Sequence, residues 1–139
     1  MPHYAPEYTA ELVERAARVR LACFDVDGTL TDGRLWFDED GRESKAFNVL
    51  DGQGLTQLAR SGVTVVFITA RNSIVAANRA RGLGAESYID CRDKLACVRG
   101  IVAERGLTME QVAFMGDDLP DLTVLREVGF AVAPASVHH

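Results

Sequence analysis

Two aspartates, Asp25 and Asp27, followed by Gly28-Thr29, close the short apolar run Leu21-Ala22-Cys23-Phe24. Three more polar clusters stand in the same relation to apolar runs. Thr69-Ala70-Arg71 follows Val63–Ile68, Asp93-Lys94 follows Tyr88-Ile89, and Gly116-Asp117-Asp118 follows Val112–Met115. One aspartate after an apolar run is a weak signal, but four such clusters form a set suited to phosphoryl transfer. A phosphomonoester dianion repels a carboxylate nucleophile, so a divalent cation must offset part of the charge. Asp25 and Asp117 offer hard oxygen ligands, which suit magnesium better than a softer metal. The second oxygen of Asp25 is then available for in-line attack on phosphorus, giving an aspartyl phosphate. Asp27 is placed to protonate the leaving alkoxide and afterwards to activate water. The Thr69 hydroxyl and the Lys94 ammonium can hold the equatorial phosphoryl oxygens. Gly28 permits a tight turn whose backbone amides can face the phosphate.

Each residue also has a plain structural role. Asp25 and Asp27 can cap a helix or close a turn, and Thr69 can cap the helix after it. Asp117 and Asp118 can cap a helix that begins near Pro120, with Asp121 favouring its first turn. Lys94 at a helix start opposes the helix dipole, which a bound anion would explain. Taken together, these roles would require independent caps to gather at one edge by coincidence.

The elements that must position these residues alternate between β-rich and amphipathic runs. Helices are expected over Thr9–Arg18, Gly54–Arg60, Ile74–Arg81 with Gly82 as C-cap, Lys94–Arg105 with Asp93 as N-cap, and Pro120–Val128. Strands are expected at Leu21–Phe24, Val63–Ile68, Tyr88-Ile89, Val112–Met115 and Phe130–Ala133. This alternation predicts an α/β fold, a doubly wound parallel sheet, in which ligands bind beyond the carboxyl ends of the strands. The segment 34–47 interrupts the rhythm. Two strand-like arms flank Asp40-Gly41, a hairpin turn signal, and they carry Leu35, Trp36, Phe37, Ala46 and Phe47.

The 139 residues suffice for one domain with one core, spanning 1–139, in which the hairpin is an insertion. A net charge of -5 argues against nucleic acid or an anionic membrane as the main partner. No apolar run approaches membrane-spanning length. Cys23, Cys91 and Cys97 cannot all pair with one another, and Cys23 lies in an apolar run, which points to a reduced, cytoplasmic protein.

The four clusters resemble the motifs of the haloacid dehalogenase superfamily. Asp25–Thr29 matches the first, Thr69 the second, Lys94 the third and Gly116–Asp121 the fourth. The segments 27–33, 47–54 and 68–71, with the hairpin, are more narrowly similar to the capless phosphatases of 3-deoxy-D-manno-octulosonate 8-phosphate. That resemblance implies magnesium held by Asp25, the Asp27 backbone carbonyl and Asp117. It implies a sugar-phosphate substrate from a lipopolysaccharide pathway, contacted by Arg71, Arg79, Gly28 and Asp51, with Arg71 facing a substrate carboxylate. It further implies a homotetramer built through the hairpins, the alternative being a hairpin that folds down over its own active site as a small lid. A nine-carbon ulosonate 9-phosphate as substrate, or a catalytically idle assembly domain, are the alternatives. The sequence has Ala70 where the family favours Gly and Ile89-Asp90 where it often has Gln-Gly. The family pattern continues beyond His139 with a helix and a glycine-rich tail, so a truncated chain, or a site closed in another way, is expected.

Overall fold

The computed structural model of the chain describes residues 8–116 and 119–133. Its centre is a five-stranded sheet in the order β5-β4-β1-β6-β7. The strands are β1 (Leu21–Asp25), β4 (Thr64–Ile68), β5 (Glu86–Tyr88), β6 (Val112–Met115) and β7 (Phe130–Val132). Every pairing within it is parallel, and Asp25 lies opposite Ile68 at the carboxyl end of β1. The expected doubly wound α/β architecture is therefore present.

The residues of β1 and β4 alternate between two apolar layers, as the two-residue period of a strand requires. Leu21, Cys23, Val66 and Ile68 pack with Val98, Ile101 and Val102 of α4 (Lys94–Glu104) and Val124 of α5 (Leu119–Leu125). Val65 and Phe67 face the other way. They meet Leu55 of α2 (Val49–Arg60) and Ala76 and Ala80 of α3 (Ile74–Gly82). Helix α1 (Ala10–Ala17), capped by Thr9, buries no residue. With both central strands covered on both faces, only their ends can present polar groups to a ligand.

Several helix limits differ from expectation, among them that of α5, which ends at Leu125 rather than Val128. Helix α2 starts at Val49 rather than Gly54, capped by the Asn48 side chain, which accepts from the Leu50 amide at 2.8 Å. Gly52 and Gly54 lower the helix propensity of this stretch. Gly52 lets α2 pack closely on Arg79, whose Nη2 would lie 2.5 Å from a Cβ there and would have to shift. Helix α3 runs on through Gly82, and the left-handed residue beyond it is Gly84, with φ 73°.

The hairpin forms with a short ladder. Its strands β2 (Trp36–Phe37) and β3 (Glu43–Ser44) pair as Trp36 with Ser44 and Phe37 with Glu43. The turn is wider than Asp40-Gly41 alone, because Asp38 Oδ1 accepts from the amides of both Asp40 and Arg42. From Glu43 to Phe47 burial alternates, with Glu43, Lys45 and Phe47 turned inward and Ser44 and Ala46 outward. Phe47 joins the α2–α3 core layer. Trp36 and Phe37 are each 59% exposed.

Candidate active site

Lys94 opens α4, and its Nζ lies 2.7 Å from Oδ1 of Asp25 and 2.8 Å from Oδ1 of Asp121. All three side chains are nearly or fully buried. The anions that offset the unfavourable dipole position of Lys94 are thus two carboxylates of the chain itself. Asp121 is more than a favourable first-turn residue, since it is fully buried and ties α5 to α4 across this cation. Gly116 makes room for it, because a Cβ there would collide with the Asp121 carboxylate.

A second charged group surrounds Asp27. Lys45 donates to Asp27 Oδ1 at 2.8 Å and lies 2.7 Å from Oε1 of Glu43. Arg71 approaches Glu43 from the β4 side, with Nη2 3.8 Å from Oε2, and Ser73 donates to Oε1 at 3.4 Å. The hairpin therefore delivers Glu43 and Lys45 to the catalytic edge of its own chain. The sequence reasoning singled out neither residue. The signal was the two-residue alternation Glu43, Lys45, Phe47, in which an apolar residue marks the inward face that the two charged residues share.

The loops between these groups are tied to one another. Thr69 is almost fully buried just beyond β4, and its Oγ1 accepts from the Arg71 amide at 3.2 Å. It does not cap α3. Ser73 does so, accepting from the Ala76 amide. The Cys91 amide donates to the Thr69 carbonyl and the Asp90 amide to the Arg71 carbonyl, which joins the loop after β5 to the loop after β4. Asp90 holds φ 57°, a left-handed position that aspartate tolerates and glycine fits freely. Ala70 is outside that region, so no glycine is required there.

Gly28 has φ 84°, as a tight turn requires, and its amide donates to Thr31 Oγ1 at 3.3 Å. Asp51 is exposed on the first turn of α2 and lines a cavity of about 380 Å³ with Thr29, Thr31, Asp32 and Asn48. Arg79 is packed over the Phe47 ring, 5.6 Å from its centroid. Asp117 and Asp118 lie outside the described residues.

Charge decides whether this edge suits a cation. Burial pushes the Asp25 carboxyl up from 3.8 to about 6, and the neighbouring Asp121 adds to the rise although Lys94 opposes it. A hard divalent ion beside Asp25 would add to the positive charge of Lys94 and favour the ionised carboxylate further. Among the described residues no three acidic, histidine or cysteine side chains gather as a complete cage. Asp25 is a hard oxygen donor of the kind that magnesium takes.

No family model matches the chain. A curated 3-deoxy-D-manno-octulosonate 8-phosphate phosphatase from Yersinia pestis is 40% identical over 129 residues, covering 92% of this chain and 69% of that protein. The crystal structure of a hypothetical protein from Xanthomonas campestris superposes with a TM-score of 0.93 at 56% identity, covering 99% of this chain and 76% of that one. The phosphatase of the same name from Moraxella catarrhalis was solved with magnesium, phosphate and KDO. It superposes with a TM-score of 0.86 at 38% identity, covering 91% of this chain and 73% of that one. Likeness of this extent, on the fold that places Lys94 between Asp25 and Asp121, identifies the chain as a phosphatase that belongs to the 3-deoxy-D-manno-octulosonate 8-phosphate phosphatase family of the haloacid dehalogenase superfamily.

Proposed function

We propose that the chain is a magnesium-dependent phosphomonoesterase acting through an aspartyl phosphate on Asp25. Its substrate in this reading is 3-deoxy-D-manno-octulosonate 8-phosphate, which it splits into the free sugar acid and inorganic phosphate. The observation that carries the reading is Lys94 holding Asp25 at 2.7 Å, buried at the carboxyl end of the central strand. Here a nucleophile is fixed beside the cation that would also hold a phosphoryl oxygen.

Asp25 forms a bond to phosphorus as the bond to the sugar oxygen breaks, and Asp27 gives that oxygen its proton. In the second half-reaction Asp27 takes a proton from water, whose oxygen bonds to phosphorus and restores the Asp25 carboxylate. Thr69 and Lys94 hold the remaining phosphoryl oxygens while both bonds change. Magnesium bound by Asp25, the Asp27 carbonyl and Asp117 supplies the positive charge that lets two anions meet.

The named substrate is supported by the Yersinia and Moraxella relatives. Arg71, half-exposed beside the site, suits the carboxylate of a sugar acid; Gly28, Asp51 and Arg79 are contacts that rest on the family resemblance alone. The exposed Trp36 and Phe37 support assembly through the hairpin as a homotetramer, since a lone two-stranded ladder is marginal in water. Three unpaired thiols fit a reducing cytoplasm. Among the described residues no helix is long and apolar enough to cross a membrane.

The test is phosphate release from the eight-carbon sugar phosphate, a nine-carbon ulosonate 9-phosphate and an aryl phosphate, with magnesium and after exhaustive chelation. The reading requires the highest kcat/KM on the eight-carbon substrate and loss of turnover on chelation. Preference for the nine-carbon substrate would replace the substrate assignment. Full activity without metal would end the magnesium mechanism.

A further inference from the structure

We infer that Lys45, carried by the hairpin, is the positioning residue for Asp27 and sets how well that carboxyl serves the leaving group. The inference rests on the proposed role of Asp27 as general acid and base.

Three observations carry it. The Lys45 side chain is 0% exposed, and its ammonium lies between Asp27 Oδ1 at 2.8 Å and Glu43 Oε1 at 2.7 Å. It engages one oxygen of Asp27, which leaves the other for the substrate. Glu43 is held in turn by Ser73 and Arg71, so the chain of contacts runs from the loop after β4 through the hairpin to Asp27.

Shielding an ammonium completely costs several kcal/mol unless carboxylates surround it, so the position of Lys45 has to be explained. Anchoring the hairpin does not explain it, because Phe47, two residues on, already packs into the α2–α3 core layer without a buried charge. Asp27 is also the more exposed of the two carboxylates, at 24% against 13% for Glu43. A side chain so placed has rotamer freedom, and a proton donor must be held within hydrogen-bond reach of the oxygen it serves. Lys45 removes that freedom while engaging only one oxygen of the carboxyl.

A positioning role acts on one bond only, the one to the leaving oxygen. A sugar alkoxide needs a proton as it departs, whereas dinitrophenolate leaves without one. The experiment therefore measures the phosphorylation half-reaction by rapid quench, on the sugar phosphate and on dinitrophenyl phosphate. It compares the unsubstituted protein with Lys45→Met, Lys45→Arg, Glu43→Gln and Asp27→Asn. Asp27→Asn should slow the sugar phosphate far more than the aryl ester. Lys45→Met should show the same selectivity, with a loss of about 10- to 100-fold on the sugar phosphate and at least tenfold less on the aryl ester. Lys45→Arg should recover part of the lost rate. Glu43→Gln keeps the size and position of the side chain while weakening the hold on Lys45. It should show the same selectivity in smaller measure, including where Lys45→Met does not fold.

Equal losses on both substrates in Lys45→Met and Glu43→Gln, with Asp27→Asn remaining selective, would overturn the role of Lys45 alone. An unselective Asp27→Asn would overturn the acid-base reading and this inference with it.

Discussion

The ammonium of Lys94 lies 2.7 Å from the carboxylate of Asp25, though the two residues are 69 positions apart in the chain. Asp121 completes the group on the far side of the cation. Removing the lysine would leave two carboxylates buried without it. Lys94→Ala should therefore destabilise the metal-free protein at neutral pH by about 3–5 kcal/mol, the usual cost of stranding a buried charge. Urea denaturation measures this directly. A loss under about 1 kcal/mol would show that solvent reaches and screens the site.

The burial of Asp25 makes a pH-dependent prediction. Its folded pKa of about 6 lies above its ordinary value of 3.8. A carboxyl raised in this way stabilises the fold fully below about pH 4, and the contribution disappears as pH rises through about 6. In chelator at about pH 8, Asp25→Asn should be more stable than the unsubstituted protein, by on the order of 2 kcal/mol. The gap should close as pH falls toward about 4. Magnesium should narrow or reverse the gap at the higher pH, because in the proposed site it binds more tightly to the chain that keeps the Asp25 carboxylate. Thermal melts across pH test both statements, and a gap independent of pH would contradict the first.

These charge relationships mark the division between what the sequence made legible and what it did not. The apolar runs ending in Asp25, Thr69 and the loop before Lys94 were readable because each is local, as was the Asp93 cap of α4, which accepts from the Ala96 amide. Helix α2 was read short because Gly52 and Gly54 speak against a helix locally, whereas Gly52 answers to Arg79 across the α2–α3 packing. Asp121 was read as a first-turn residue because nothing nearby in sequence shows that Lys94, 27 positions away, would reach it. Lys45 and Glu43 carried a local signal in their alternation with Phe47, but the partner it aims them at, Asp27, lies 18 positions from Lys45. The apolar residues of the hairpin were weighed for assembly, while the inward turn of Phe47 showed which face was already committed to its own chain.

Arg71 offers a test of substrate contact. Its guanidinium is 41% exposed and touches Glu43 only at 3.8 Å, so it retains donors for a carboxylate. Arg71→Ala should raise KM for the sugar phosphate about tenfold or more, with kcat/KM on a generic aryl phosphate changed far less. Steady-state kinetics on both substrates decides the matter. Equal losses would make Arg71 a support for Glu43 and the hairpin.

The exposed aromatic residues of the hairpin make a separate prediction. Trp36 and Phe37 are each 59% exposed on a ladder of two residue pairs, an edge that self-association would cover. The protein should be a tetramer by light scattering at micromolar concentration, and Phe37→Asp should dissociate it. A monomeric unsubstituted protein would refute the assembly. Lys45 and Glu43 would still reach Asp27, because those contacts lie within one chain.

The central claim is that phosphorus passes through Asp25. Acid quench of the working enzyme during turnover, followed by borohydride reduction and peptide mapping, converts an aspartyl phosphate into homoserine at the position that carried it. The account predicts homoserine at position 25, and none there when Asp25→Asn is treated in the same way. A phosphorylated residue elsewhere, or turnover retained by Asp25→Asn, would contradict it.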